Sequence, residues 1–322
     1  MISVKHLTKY YGEHLAVDDI SFEITEGHVY GFLGPNGAGK STTMNMITGC
    51  LSATDGTVLI DGHDIFEEPD KAKRLIGYLP EHPPLYMNES PLEYLQFVGE
   101  AKGLRGAQLA DQINEVIEKT GISNVKHRRI SALSKGYKQR VGIAQALLGN
   151  PKVIILDEPT VGLDPIQIIE IRDLITELGK THTVIFSSHI LSEVEAICDQ
   201  IIMIARGKLV GFGEPAELHR QLLAPNEVIL TTNASETEIK DVLKNMNKIT
   251  EISVEDKESA FTTAHIKSDH KAIYDLSAAV FTAFAKSNKI IYEMTLKKGN
   301  LEDIFIELSE SADAKKREEE KA

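Results

Sequence analysis

A glycine-rich loop in the first part of the chain has the residue types that bind phosphate. Residues 34–42 read Gly-Pro-Asn-Gly-Ala-Gly-Lys-Ser-Thr, between the apolar run Val29 to Leu33 and a helical stretch near Met44. Glycines let backbone N–H groups converge on phosphate oxygens, and a helix N-terminus adds positive potential. The lysine would reach the β- and γ-phosphates, and the serine would bind Mg²⁺. The loop predicts a nucleoside triphosphate site with these binding residues: Gly34, Asn36, Gly37, Ala38, Gly39, Lys40, Ser41 and Thr42.

Two adjacent carboxylates, Asp157 and Glu158, follow the apolar run Val153 to Leu156. At the end of a buried strand, the first can hold the metal and its water shell, and the second can polarise an attacking water. Alone, the pair is equally typical of turn residues before Pro159. Together with the phosphate loop it predicts hydrolysis, with Asp157 as a metal ligand and Glu158 as the catalytic base.

Several short apolar runs between residues 1 and 213 predict an α/β domain around these motifs. The runs before the two motifs, and Thr183 to Phe186, are nearly continuously apolar, as in central strands covered on both faces. Alternating segments at Ser3 to Thr8, Ile20 to Ile24 and Thr57 to Ile60 predict an antiparallel sheet beside the nucleotide. Residues 87–149 have helical spacing instead, which predicts an inserted helical subdomain.

A second pattern begins after Pro225. A strand at Val228 to Thr232, a helix opened by Ser235 and Glu238 in a capping box, and later strand, strand, helix and strand signals follow in order. This β-α-β-β-α-β order predicts a small α+β, ferredoxin-like domain over residues 225–310, with a charged tail at 311–322. It has no visible chemistry, and dimer contact, regulation or simple packing all remain open.

Composition narrows the class of protein. The formal charge of -13, from 48 acidic and 35 basic residues, disfavours nucleic acid as a partner. Only Cys50 and Cys198 are present, so a disulfide framework or a zinc site is poorly supported and a reducing cytosol fits. We expect no signal peptide and no transmembrane span, because no apolar run approaches the roughly 18 residues that a span needs.

Residues 133–140, Leu-Ser-Lys-Gly-Tyr-Lys-Gln-Arg, lie between the two phosphate-site motifs. They resemble the signature of ATP-binding cassette (ABC) ATPases, which usually reads Leu-Ser-Gly-Gly-Gln, and the order of the motifs places the chain in that superfamily. The resemblance implies that Ser134 and Gly136 contact the γ-phosphate of a nucleotide held by a second, head-to-tail cassette. Lys135 and Tyr137 depart from the usual pattern, which leaves the finer contacts open.

Three further residues resemble family motifs in order, and a fourth, Glu81, stands at a motif position with a different residue type. Tyr11 resembles the aromatic residue that stacks on adenine, with the adjacent Tyr10 as the alternative. Asp164 belongs to a Gly-Leu-Asp segment that resembles the loop touching the opposite site, and His189 resembles the histidine that senses the γ-phosphate. Glu81 stands where the family usually has a glutamine that contacts Mg²⁺ and links to the membrane subunit; it could equally be a solvated loop residue.

The resemblance covers about residues 1–220, and the further domain with residues 300–305, Asn-Leu-Glu-Asp-Ile-Phe, is similar to cassettes of multidrug, antibiotic and gliding-type exporters. It implies ATP and Mg²⁺ as cofactors, and a second cassette (identical or related) and an integral-membrane permease as partners. It also implies a cytoplasmic protein, peripheral at the cytoplasmic face of the membrane. The alternatives are a soluble switch or assembly factor and a catalytically idle module. A soluble factor of those kinds would have coiled-coil heptads or a second phosphate loop, and neither is found in the sequence. An idle module would have lost catalytic groups, and none is missing here.

Overall fold

A computed structural model of the chain describes residues 1–222, 227–244, 246, 249–256, 261–268 and 273–297. The chain divides into two compact units, Met1–Pro215 and a second one that begins at Ala216. The predicted end of the first domain at residue 220 and the predicted start of the second at residue 225 stay predictions. The charged tail and the segment at 300–305 lie outside the described residues.

The first unit contains two sheets. Its strands, in chain order, are β1 (Ile2–Tyr11), β2 (His14–Ile24), β3 (Val29–Leu33), β4 (Asp55–Ile60), β5 (His63–Asp64), β6 (Ile76–Leu79), β7 (Val153–Leu156), β8 (Thr183–Ser188), β9 (Gln200–Ala205) and β10 (Lys208–Gly213). The larger sheet has the order β10-β9-β3-β8-β7-β6, with every neighbour parallel except β10, which is antiparallel to β9. The smaller sheet has the order β2-β1-β4-β5 and is antiparallel.

The helices of this unit are α1 (Lys40–Ile47), α2 (Pro69–Arg74), α3 (Pro91–Ala101), α4 (Gly106–Lys119), α5 (Lys135–Leu147), α6 (Pro165–Gly179) and α7 (Leu191–Ile197), with a 3₁₀ turn at Ile130–Ala132. α3 begins at a capping box, in which the Ser90 side chain accepts from the Glu93 N–H and the Glu93 carboxylate accepts from the Ser90 N–H. That pairing satisfies two of the free donors at a helix start. α3, α4 and α5 form the helical insertion.

Apolar residues explain why the large sheet forms. All side chains of β3, β7 and β8 are buried, because helices and the second sheet cover both faces of the parallel sheet. One core cluster joins the two sheets and α1, and includes Leu7, Phe32, Met44, Ile155 and Ile202. The predicted antiparallel and parallel layers are therefore confirmed.

The second unit has the predicted element order. After α8 (Pro215–Leu222), it contains β11 (Glu227–Thr232), α9 (Glu236–Leu243), β12 (Ile249–Asp256), β13 (Thr262–Ser268), α10 (Ile273–Lys286) and β14 (Ile291–Lys297). The strands pair antiparallel in the order β12-β13-β11-β14, and the capping box at Ser235 and Glu238 opens α9. The ferredoxin-like fold class is confirmed.

The α10 helix offers a matched pair of phenylalanines for a test of this unit. Phe284 is fully buried in its core, whereas Phe281 is 60% exposed on the same helix. We expect Phe284→Ala to lower the free energy of opening of α10 by about 3–5 kcal/mol, because a buried ring is replaced by a cavity. Phe281→Ala should change it by less than about 0.5 kcal/mol. Hydrogen exchange of α10 peptides in the full chain measures both, and equal effects would contradict the described orientation of the helix.

Candidate functional site

The loop after β3 has a backbone that requires glycine at defined positions. Gly37 and Gly39 have φ angles of 80° and 103°, a region that L side chains rarely adopt. A Cβ on Gly34 would lie 2.4 Å from the Ile204 carbonyl oxygen of the neighbouring strand β9. The glycine spacing therefore allows the loop to turn tightly against the sheet and into α1.

Lys40, the first residue of α1, has a buried ammonium group. Its Nζ donates to the Gly34 carbonyl oxygen at 2.8 Å and to the Pro35 carbonyl oxygen at 3.3 Å, so that the side chain curls back over the loop. It also lies 3.2 Å from Glu158 Oε1. The lysine thus holds the loop in shape and keeps a positive charge at its centre.

The loop borders a cavity of about 400 Å³, which we call the phosphate cavity. It brings together residues that are far apart in the sequence. Lining it are Tyr11, His14, Ala16, Asn36, Gly37, Gly39, Lys40, Ser41, Thr42, Glu81, Glu158, Val161 and His189. Of the residues predicted for this site, Gly34, Ala38 and Asp157 do not line the cavity.

Glu158 lies between a lysine and a histidine. One carboxylate oxygen contacts Lys40, and the other, Oε2, lies 2.9 Å from Nδ1 of His189. Both Lys40 and Glu158 are nearly inaccessible, at 6% and 7% side-chain exposure. A buried ion pair of this kind must offset a large cost of desolvation, which makes it sensitive to any new anion that competes for the lysine.

The backbone of Glu158 is itself unusual. Its φ angle is 47°, in the left-handed region that a long side chain seldom adopts. Its N–H donates to Ser187 Oγ at 2.7 Å, and that hydroxyl donates to Asp157 Oδ1 at 2.6 Å. One serine on β8 therefore fixes both carboxylate residues, and such backbone strain is typical of functional positions.

Asp157 is in surroundings that suit a divalent cation. Burial raises the pKa of Asp157, the charges of Glu158 and Glu81 raise it further, and hydrogen bonds from Ser187 and Ser41 oppose the rise. Among the described residues no group of three or more His, Cys, Asp or Glu side chains is placed to hold a metal by itself. Mg²⁺ commonly takes only one or two carboxylates and completes its shell with water and phosphate oxygens, so the residues present fit that ion.

The lining of the phosphate cavity distinguishes the two adjacent tyrosines. Tyr11 lines the cavity and is half-exposed, whereas Tyr10 is absent from the lining. The Lys9 ammonium lies 5.5 Å from the centre of the Tyr11 ring. His14, which pairs with Tyr11 across the β1–β2 turn, also lines the cavity. Of the two tyrosines, the predicted stacking residue is therefore the one that lines the cavity.

The signature residues lie at a different cavity, also of about 400 Å³, which we call the signature cavity. Ser134 caps α5 by accepting from the Tyr137 N–H at 3.4 Å, and Asp164 caps α6 by accepting from the Gln167 N–H at 2.9 Å. A Cβ on Gly136 would lie 2.8 Å from the carboxamide end of the Gln167 side chain, which would have to move aside. Two helix N-termini therefore open onto one cavity, which suits an anion.

Sequence reasoning missed several residues that shape the site. Ser187 clamps the two carboxylates, and the buried Glu193 accepts hydrogen bonds from Thr160 and Ser188. The sequence signal for Ser187 and Ser188 was their position directly after the apolar run that ends at Phe186. No sequence signal marked Glu193, because its partners lie on other elements.

In the part of the chain that the structure describes, no helix is both long enough and apolar enough to span a bilayer.

Comparison with known proteins agrees with this geometry. A family model described as "ABC transporter" matches residues 17–161. An uncharacterized ABC transporter ATP-binding protein of Bacillus subtilis, YxlF, is 42% identical over 221 residues, or 69% of this chain and 73% of the relative. The linearmycin resistance ATP-binding protein LnrL of the same organism is 31% identical over 312 residues, covering 96% and 98%.

Solved structures agree as well. The dimeric structure of MJ0796, a bacterial ABC transporter cassette, superposes with a TM-score of 0.61 at 28% identity, covering 66% of this chain and 98% of that one. With the glycine loop, the paired carboxylates and the signature helix in place, these similarities show that the chain belongs to the ABC transporter family, as an ATP-binding and ATP-hydrolysing subunit.

Proposed function

We propose that this cassette pairs head to tail with a second cassette, either another copy or a related subunit, around two ATP molecules. The closing and reopening of this pair would drive an integral-membrane permease from the cytoplasmic face. The observation that carries the proposal is the separation of the two cavities. The phosphate cavity and the signature cavity share no lining residue, and each supplies only part of what a triphosphate needs. A second cassette would complete each of them.

In this proposal the ion pair between Lys40 and Glu158 changes when ATP binds. The phosphates compete for the buried ammonium, which now contacts two carbonyl oxygens and one carboxylate. Release of Glu158 from the lysine leaves its carboxylate free to orient or deprotonate the attacking water. His189, already within hydrogen-bonding distance of Glu158, would hold that carboxylate and contact the γ-phosphate.

We assign the metal to Ser41, Asp157 and Glu81. Bound Mg²⁺ supplies positive charge that neutralises the phosphate oxygens during transfer. Ser187 donates a hydrogen bond to Asp157 and so orients its carboxylate, and Glu81, two residues after the end of β6, lines the phosphate cavity. Repulsion among the carboxylates, which helps to raise the pKa of Asp157, favours a cation there.

An aromatic surface on α3 and the segment before it is a candidate contact for the permease. Tyr86, Tyr94 and Phe97 form an aromatic patch, with ring centres 5.6 Å apart for the tyrosines and 5.2 Å for Tyr86 and Phe97. Tyr86 and Phe97 are both about half-exposed, and Met87 beside them is exposed too. Neighbouring exposed apolar side chains of this kind are typical of protein-binding surfaces. Their proximity in sequence to Glu81 would link permease movement to the nucleotide.

We propose export as the direction of transport. One relative, matched over 98% of its length, is a linearmycin resistance protein, and removal of a toxic compound is one way in which a transporter confers resistance. The permease would select the compound that is carried.

Replacing the proposed base tests the hydrolytic mechanism. We expect Glu158→Gln to lower kcat for ATP at least about 100-fold, because the amide cannot accept the proton of water. ATP should then hold a closed pair, which light scattering detects as a doubling of mass. Glu177→Gln, at an exposed position on α6, is the matched control and should behave as the unchanged chain does. Unchanged turnover in the Glu158→Gln form would contradict the assigned base.

The metal assignment makes a separate prediction. We expect Glu81→Ala to raise the Mg²⁺ concentration for half-maximal ATPase activity about tenfold, since a ligand or a residue orienting one is lost. Glu67→Ala, which removes an exposed carboxylate that lines neither cavity, should leave it unchanged. Mg²⁺ titration of ATP hydrolysis measures both. An unchanged requirement in Glu81→Ala would mean that Glu81 is a solvated loop residue.

The permease contact can be tested in membranes. We expect the double change Tyr86→Ala with Phe97→Ala to reduce co-purification of a polytopic membrane protein about tenfold, because contact residues at the centre of an interface often contribute 1 kcal/mol or more. Basal ATPase activity should stay within about twofold, since neither ring lines a nucleotide cavity. Phe281→Ala, which removes an equally exposed ring from the second unit, serves as the control. Recovery of the unchanged chain without any membrane protein would favour a soluble switch or assembly factor.

A further inference from the structure

Glu193, in the first turn of α7, is a buried carboxylate that the proposed chemistry does not use. It is 5% exposed. Its Oε2 accepts one hydrogen bond from Thr160 Oγ1 at 2.8 Å and another from Ser188 Oγ at 2.9 Å. Within the described residues no Lys, Arg or His forms an ion pair with it. Burying an unpaired carboxylate costs free energy, so these two charge-assisted hydrogen bonds must do much to offset the burial.

The two donors flank the reacting groups on different strands. Thr160 lies two residues after Glu158, beyond the end of β7, and Ser188 at the end of β8 directly precedes His189. The Ser188 hydroxyl also accepts from the Ile190 N–H at 3.0 Å, so the backbone on both sides of His189 is fixed. Glu193 therefore joins the segment that carries the base to the segment that carries the histidine.

We propose that Glu193 is a positioning residue for ATP hydrolysis. It holds His189 against Glu158 by tying Ser188 and Thr160 together, and so keeps the contact of 2.9 Å between His189 Nδ1 and Glu158 Oε2. The inference rests on the proposed roles of Glu158 and His189. Neither Glu193 nor its two donors line the phosphate cavity. Glu193 therefore contributes to kcat and leaves ATP affinity alone.

Both hydroxyls donate to the same carboxylate oxygen of Glu193, so two substitutions of this residue should have different effects. Glu193→Gln retains one sp² oxygen that can accept from both hydroxyls. Glu193→Ala removes the acceptor and leaves two buried hydroxyls without it. The amide variant should therefore rescue most of the function that the alanine variant loses.

The test measures kcat, KM and ATP affinity of the full chain. We expect Glu193→Ala to lower kcat about tenfold or more, with KM and the Kd for ATP within about twofold, and Glu193→Gln to keep kcat within about threefold. In a His189→Ala background, Glu193→Ala should cause no further loss, because the residue acts through the histidine. A purely structural role would instead give the same fold loss in both backgrounds and would overturn the inference.

Two further measurements separate the possible failures. If Glu193→Ala does not fold, as thermal unfolding would show, Thr160→Val with Ser188→Ala removes the same hydrogen bonds from the other side and should give the same kcat loss. Unchanged kcat in that pair would overturn the inference. If His189→Ala and Glu158→Gln leave kcat unchanged, the proposed catalytic roles fail and the inference fails with them. If those two variants lose activity while Glu193→Ala does not, only the inference fails.

Discussion

The parallel pairing of β3, β8, β7 and β6 is the constraint on which the site depends. In register, Leu33 lies beside Ser188, Phe186 beside Leu156, and Leu156 beside Leu79, so that the carboxyl ends of all four strands meet at one edge. The phosphate loop, the two carboxylates, the histidine and Glu81 each follow one of these ends. Parallel strands align their ends in this way, whereas antiparallel strands would send alternate ends to opposite edges.

The parallel pairing of the strands also brings charged groups together at that edge. Asp157, Glu158 and Glu81 converge there, and Lys40 is the buried cation that contacts one of them. The buried carboxylates of Asp157 and Glu158 repel one another strongly because there is little water to screen them, and the charge of the exposed Glu81 adds to the repulsion. In the proposed function, a triphosphate would bring negative charge to the lysine, and a divalent cation would bring positive charge to the carboxylates.

Hydrogen bonds from neighbouring strands keep these charged groups in position. Ser187 fixes the backbone of Glu158 and the side chain of Asp157, and Ser188 contacts Glu193. Both serines lie on β8, between the strand of the carboxylates and the strand of the glycine loop. A central strand that ends in hydroxyls can support neighbours on both sides, because hydroxyls donate and accept at once. The sheet thereby supports the strained backbone of Glu158.

The sequence by itself determined the elements and the chemistry of the nucleotide site. Glycine spacing, nearly continuous apolar runs and the capping box at Ser235 and Glu238 are local signals, and they predicted the phosphate loop, the central strands and the βαββαβ order of the second unit. The tertiary structure decided which groups meet. It placed Tyr11 rather than Tyr10 at the cavity, paired Lys40 with Glu158, and gave the buried Glu193 its partners. Lys40 and Glu158 are more than a hundred positions apart, and Glu193 meets Thr160 from 33 positions away on another element. Neither spacing nor residue type encodes such contacts before the sheet has formed.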